Sequence, residues 1–162
     1  MRKLSIGLLL FQLAVAPAHA GIVDLVNGVS VGRQLPVNEI RYPRQAPDPQ
    51  ARLTLIDFWA TWCEPCRVSI PKLNAWQRQY AAQGLAVVGA TQEAEADVLP
   101  FIDKLEIQYP VGLEGKPGLH ELLKIRGMPY AIFVDQSGKI IWRGQPDEIT
   151  DALIAKLLAS QG

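Results

Sequence analysis

Along this 162-residue chain the apolar and polar positions sort into a short series of strands and helices. Leu53-Thr54-Leu55-Ile56-Asp57-Phe58-Trp59-Ala60 is almost continuously apolar, the pattern of a strand covered on both faces. Leu85 to Ala90 and Tyr130 to Asp135 repeat that pattern. The stretch from about 63 to 83 predicts the first helix, with Pro71 kinking it and Gly84 stopping it. A second helix is expected over 93–105, where Val98, Phe101, Ile102 and Leu105 share one face and Pro100 marks a bend or a late start. Tyr109 to Leu113 reads as a short strand and His120 to Lys124 as a short helix. Gln136-Ser137-Gly138 is a turn returning Lys139 to Arg143 as a hairpin partner. The stripe Ile149, Leu153, Ile154, Leu157 and Leu158 predicts a closing helix over 148–159. This order predicts an α/β fold with a mixed central sheet and helices on both faces.

The N-terminal region carries a different pattern. Arg2 and Lys3 precede an apolar run from Leu4 to Val15, and Ala18-His19-Ala20 is a small-X-small cleavage site. We expect residues 1–20 to be a cleaved signal peptide; Pro17 and the shortness of the run argue against a membrane anchor. Residues 21–51 then form a lead-in, with a short hairpin expected over 21–35 and an irregular path over 36–51, where Pro36, Pro43, Pro47 and Pro49 fall. Residues 52–162 form the main domain. Loss of Arg2 and Lys3 leaves 14 basic residues against 16 acidic ones, a net charge of about −2. That balance gives no support for nucleic acid or an anionic membrane as partner, and no other segment is long and apolar enough to span a bilayer.

Candidate chemistry sits where the first strand meets the first helix. Both cysteines of the chain lie in Trp62-Cys63-Glu64-Pro65-Cys66. A cysteine at a helix start faces unsatisfied N–H groups and the positive end of the helix dipole, which favour thiolate, the nucleophile of disulfide exchange. A second thiol two residues on resolves the mixed disulfide. A static bridge and half of a zinc site are the alternatives. The first would close too short a loop to stabilise much, and the second lacks further cysteines, with His120 the only histidine after the leader. Pro65 presets helical φ early in the helix, whereas the Glu64 carboxylate disfavours a neighbouring thiolate and so tilts the pair toward reduction. Asp57 is an acid within an apolar strand; burial would raise its pKa and suit it to accept a proton from Cys66.

Phe58-Trp59-Ala60-Thr61-Trp62-Cys63-Glu64-Pro65-Cys66, with Pro71 five residues on and Gly127-Met128-Pro129 before the third strong strand, resembles the exported TlpA/ResA-like thiol–disulfide oxidoreductases of the thioredoxin fold. The resemblance covers about 52–159. It implies an exposed nucleophile at Cys63, a buried resolving thiol at Cys66, and a cis peptide bond before Pro129. It also implies that the loop at Met128 and Pro129 meets the extended substrate strand. Trp62 is a further candidate substrate contact and, with Trp59, is expected to wall the dithiol; Trp142 is expected to pack. Glu93 matches a glutamate near the active site of ResA-like proteins and is a second acid–base candidate. The chain departs from the pattern in three places: Tyr130 follows the proline where many relatives have Thr, Asp57 stands where many TlpA-like relatives have Asn, and 85–90 lacks the lysine of thioredoxins.

The expected function is that of a periplasmic thiol–disulfide oxidoreductase reducing oxidised exported proteins, apocytochrome c among them, with electrons from a membrane thiol donor. No cofactor is implied beyond the Cys63–Cys66 couple, and no metal. The alternatives are a disulfide-forming oxidase or isomerase, and a copper-handling protein using Cys63, Cys66 and His120. Against the last, the related copper chaperones space their cysteines by three residues. His120 is otherwise expected to be a surface or satisfied side chain.

Overall fold

The computed structural model describes residues 30–162. The predicted leader and the first part of the lead-in, residues 1–29, lie outside the described residues. Five strands form one mixed sheet in the order β3-β2-β1-β4-β5, with β1 Leu53–Phe58, β2 Leu85–Thr91, β3 Val111–Leu113, β4 Tyr130–Asp135 and β5 Ile140–Gly144. β1 is the central strand. It pairs in parallel with β2 and antiparallel with β4, and this double flanking explains why its sequence is apolar on both faces rather than alternating. Trp59 and Ala60, expected in β1, already belong to the turn beyond it.

Helix α1 runs from Glu64 to Tyr80 through Pro71, followed by a 3-10 turn over Ala81–Gln83. Gly84 ends it with φ +92, a conformation a side chain rarely adopts. Its inner stripe, Cys66, Ile70, Leu73 and Trp76, is buried against the sheet together with Leu55, Val87 and Phe133. Burial of each large apolar side chain contributes about 1.5–3 kcal/mol. α2 (Glu95–Lys104) contributes Val98 and Ile102 to the same core, and α4 (Asp151–Ala159) contributes Ile154 and Leu158. α2 begins before Pro100 rather than at it. α4 is three residues shorter than the pattern suggested, because Pro146–Glu148 form a separate 3-10 turn and Thr150 caps the helix, its hydroxyl accepting from the Leu153 N–H.

The opposite face is covered differently. Ile56, Phe58, Ile132, Val134 and Ile140 pack there against a four-residue helix, α3 (Leu119–Leu122), and against Leu35 and Ile40 of the lead-in. Helices therefore lie on both faces, but unequally. Residues 32–35 run beside the start of β5, with Gly32 N–H donating to Ile140 O and Leu35 N–H to Gly138 O. Arg41 exchanges both backbone bonds with Leu113 of β3. The lead-in thus touches both edge strands, where an unpaired ladder would otherwise template other chains. Most of the hairpin expected over 21–35 lies outside the described residues; residues 30–35 form a turn at Ser30–Arg33 and this edge pairing. Trp142 packs edge-on against Phe133, with ring centroids 5.7 Å apart.

Candidate active site

β1 ends at Phe58, the Trp59 N–H still donates to Ala90 O, and the chain then turns through Thr61 and Trp62 into α1. Cys63 is the N-cap of that helix, and its sulfur accepts the Cys66 N–H at 3.3 Å. One of the backbone donors that a helix leaves unsatisfied at its start, the Cys66 N–H, is therefore given to the Cys63 sulfur. Pro65 sits in the first turn, where a missing N–H costs no helical bond. Cys63 and Cys66 are joined by a disulfide, S–S 1.97 Å, with Cα atoms 5.3 Å apart.

Two placements differ from expectation. Cys63, read as an exposed nucleophile, is 3% exposed, nearly as enclosed as Cys66 at 0%. The bond to a fully buried partner ties its sulfur to the inner side of the turn. Trp62 does not wall the dithiol; it is 71% exposed, and Val68 further along α1 is 77% exposed. Trp59 alone takes the inner position. An exposed indole next to Cys63 leaves apolar surface beside the disulfide.

The peptide bond between Met128 and Pro129 is cis, as is that between Lys116 and Pro117, which sequence gave no reason to expect. Met128 packs against the core cluster that contains Cys63 and Cys66. Tyr130, the departure after the proline, turns its hydroxyl to accept from Arg143 Nε at 2.5 Å, while the Arg143 guanidinium lies 5.4 Å from its ring.

Asp57 lies in the central strand, on the face of the sheet that α1 covers. Side chains alternate along a strand, so Asp57 shares a face with Leu53 and Leu55, the face that α1 covers. Its register neighbours are the small residues Gly89 and Ala131. It is 0% exposed, both carboxylate oxygens lack a hydrogen-bond partner, and burial pushes its pKa up to about 7. Tyr109 is its neighbour: burial raises the phenol pKa, and the Asp57 charge raises it further. A Cβ on Gly89 would stand 2.9 Å from Trp59 Nε1 and 3.2 Å from the Tyr109 ring, so only glycine lets both rings lie against the sheet here. The Trp59 Nε1–H is likewise buried without a partner.

Glu93 reaches the turn from the other side. Its Oε2 accepts the Thr61 N–H at 2.6 Å and its Oε1 the Thr61 hydroxyl at 2.7 Å, with the Thr91 hydroxyl at 3.3 Å. The carboxylate therefore fastens the turn two residues before Cys63. His120 is buried rather than on the surface: Nδ1 lies 2.5 Å from Glu114 Oε1 and Nε2 3.5 Å from Met128 Sδ. Both ring nitrogens are engaged, Nδ1 by Glu114 and Nε2 by Met128. Among the described residues, no three His, Cys, Asp or Glu side chains are grouped to hold a metal. Glu114 was not singled out from the sequence; it follows a short strand in a Gly- and Pro-rich loop, where no periodicity points to it.

Residues 37–143 match the AhpC/TSA family. The ResA thiol-disulfide oxidoreductase of Oceanobacillus iheyensis is 30% identical over 97 residues, 59% of this chain and 50% of that protein. The thioredoxin-like protein YneN of Bacillus subtilis is 28% identical over 121 residues, 70% of each. The chain thus spans half the length of the ResA relative. Among solved structures, a thiol:disulfide interchange protein from Bacteroides sp. superposes with a TM-score of 0.56 at 25% identity, covering 67% of this chain and 72% of that one. The thioredoxin domain of a thiol-disulfide oxidoreductase from Bacteroides vulgatus gives 0.61 at 22% identity, covering 83% and 99%, a likeness of fold. With the mixed sheet, the disulfide at the head of α1 and a family match over more than half its length, this chain belongs to the AhpC/TSA family on a thioredoxin fold.

Proposed function

We propose that this protein is a thiol–disulfide oxidoreductase, exported to the periplasm after cleavage between Ala20 and Gly21, that reduces disulfides in exported proteins. The observation that carries this reading is the disulfide at the N-cap of α1, with the Cys63 sulfur accepting the Cys66 N–H and a buried, unpartnered acid on the sheet face that α1 covers. In the reduced protein the Cys63 thiolate attacks one sulfur of a substrate disulfide. A Cys63–substrate bond forms and the other substrate sulfur leaves as a thiolate. Asp57 takes the Cys66 proton, the Cys66 thiolate attacks the Cys63 sulfur, and the second substrate sulfur departs. Two electrons pass from the dithiol to the substrate, and the Cys63–Cys66 disulfide remains.

The other residues assist. Glu93 positions the turn through Thr61, while Trp62, Met128 and Pro129 form the substrate contacts beside Cys63. Glu64 places a carboxylate next to Cys63; by disfavouring its thiolate it favours reduction over the oxidase or isomerase direction. The dithiol itself is the redox group. No buffer holds thiols reduced in a bacterial periplasm, so the disulfide must be re-reduced by a dedicated membrane thiol donor. The names of the relatives support the exchange chemistry; apocytochrome c is the substrate class we assign from the resemblance to the exported group. Among the described residues no helix is long and apolar enough to cross a membrane.

Mixing the reduced protein, residues 21–162, with an excess of a peptide carrying one disulfide tests this. We expect one peptide disulfide opened per protein, two peptide thiols released, and the mass of the protein lowered by two hydrogens. No thiol release on the timescale of thiol–disulfide exchange between free thiols would overturn the reading.

A further inference from the structure

The loop from Glu114 to Pro129 joins β3 to β4 and packs Met128 against the core cluster that contains Cys63 and Cys66. It holds only the four-residue helix α3, too short to define the loop end by itself. What it does contain is a buried polar pair. His120, 9% exposed, lies among Leu119, Leu123 and Phe58, whose ring meets the imidazole edge-on with centroids 4.8 Å apart. A polar ring in such a cluster is costly unless its nitrogens are hydrogen-bonded. Glu114, its side chain wholly buried, satisfies it: Oε1 takes the Nδ1–H at 2.5 Å, and Oε2 takes the His120 backbone N–H at 3.0 Å. Gly118 leaves room for this, since a Cβ there would collide with Glu114 Oε2.

An apolar pair would fill the same space with no charge to desolvate, so the reason for this one lies in the orientation it imposes. With Nδ1 tied to Glu114, the ring cannot turn, and Nε2 is aimed at Met128 Sδ, 3.5 Å away. Met128 has three rotatable side-chain bonds and is only partly buried; left alone it would adopt many positions. Its backbone N–H has no partner among the described residues, so it is available to a bound peptide.

We infer that His120, locked by Glu114, is a positioning residue that holds the Met128–Pro129 loop in register with the disulfide for a peptide substrate. The inference rests on the exchange activity proposed above. Two substitutions separate the halves of the device. His120→Asn keeps a donor at the Nδ1 position for Glu114 but ends short of Met128, whereas His120→Gln places its amide nitrogen at the Nε2 position and releases Glu114.

In steady-state reduction of the disulfide peptide, with dithiothreitol as electron source, His120→Asn should raise KM about three- to tenfold, the worth of one modest side-chain contact, with little change in kcat. His120→Gln should keep a KM near that of the unaltered protein even where its Tm falls. Met128→Leu should raise KM as well, and adding His120→Asn to it should produce no further rise, because the histidine acts through that sulfur. The inference is overturned if His120→Asn matches the unaltered protein, if the two His120 variants lose equally, or if the effects of His120→Asn and Met128→Leu simply multiply. A kcat loss that parallels the fall in Tm would also overturn it, leaving His120 as a fold element. Absence of any turnover by the unaltered protein overturns the proposed activity, and this inference with it.

Discussion

Cys66→Ser should stop the catalytic cycle at its midpoint. The variant keeps the N-cap sulfur of Cys63 and its exposed neighbour Trp62, so attack on a substrate disulfide proceeds, but nothing remains to release the product. Steady-state reduction should fall to background, while a stoichiometric protein–peptide mixed disulfide accumulates and survives non-reducing electrophoresis. Cys63→Ser should capture nothing, because the remaining thiol at position 66 lies within the helix rather than at its N-cap. The same Cys66→Ser protein exposes the acidity of the nucleophile. With the helix N-terminus directed at it, the Cys63 thiol should titrate below the roughly 8.5 of a free cysteine, read as thiolate absorbance in the ultraviolet. Turnover by Cys66→Ser comparable to the unaltered protein would remove the resolving role of Cys66.

The second large effect belongs to Asp57. Its carboxyl is fully buried and unpartnered, and burial pushes its pKa up to about 7. In the unfolded chain it returns to about 3.9, so between about pH 4 and 7 the folded protein binds the extra proton. Its contribution is therefore most favourable below about pH 4 and is lost as the pH rises to about 7. Roughly three units between the two states correspond to on the order of 4 kcal/mol. Asp57→Asn removes that dependence at the cost of a buried amide with few partners, about 1–3 kcal/mol. In the oxidised protein, denaturant unfolding should show Asp57→Asn more stable than the unaltered protein at pH 8, with the advantage gone or reversed at pH 4.5.

Activity should move the other way. Without the proton acceptor, release of the mixed disulfide at pH 7 should slow about a hundredfold, within the usual range for general-base catalysis. The rate-against-pH curve should also lose its rise near pH 7. A variant that is equally stable at both pH values and equally fast would show that Asp57 neither titrates near neutrality nor takes the proton.

The strands and long helices were legible because each carries its own period. β1 reads as buried on both faces, and α1 ends where Gly84 permits φ +92. The dithiol was legible for the same local reason: its chemistry needs two cysteines and a helix start, all within nine residues of Phe58. What could not be read lies in contacts between distant segments. The proline-rich lead-in has no period, and its two roles, burying Leu35 and Ile40 and lying beside β5 and β3, depend on where the sheet ends. Glu93 is recognisable as an acid near the site, yet its hold on Thr61 spans 32 residues and is invisible to spacing. Glu114 and His120 meet only because the loop between them folds back on itself. Cys63 was expected to be exposed because a nucleophile must be reached; the disulfide to buried Cys66 encloses it.

On the proposed function the Cys63–Cys66 couple gives electrons to disulfides rather than taking them from thiols. The reduction potential of Cys63–Cys66 tests it most directly, by equilibrating the protein in graded mixtures of reduced and oxidised dithiothreitol and counting free thiols. With Glu64 beside Cys63, a value of about −250 mV or below is predicted, close to the roughly −270 mV of thioredoxin. A value close to the roughly −120 mV of a strong periplasmic oxidant would contradict the account and make the protein a donor of disulfides.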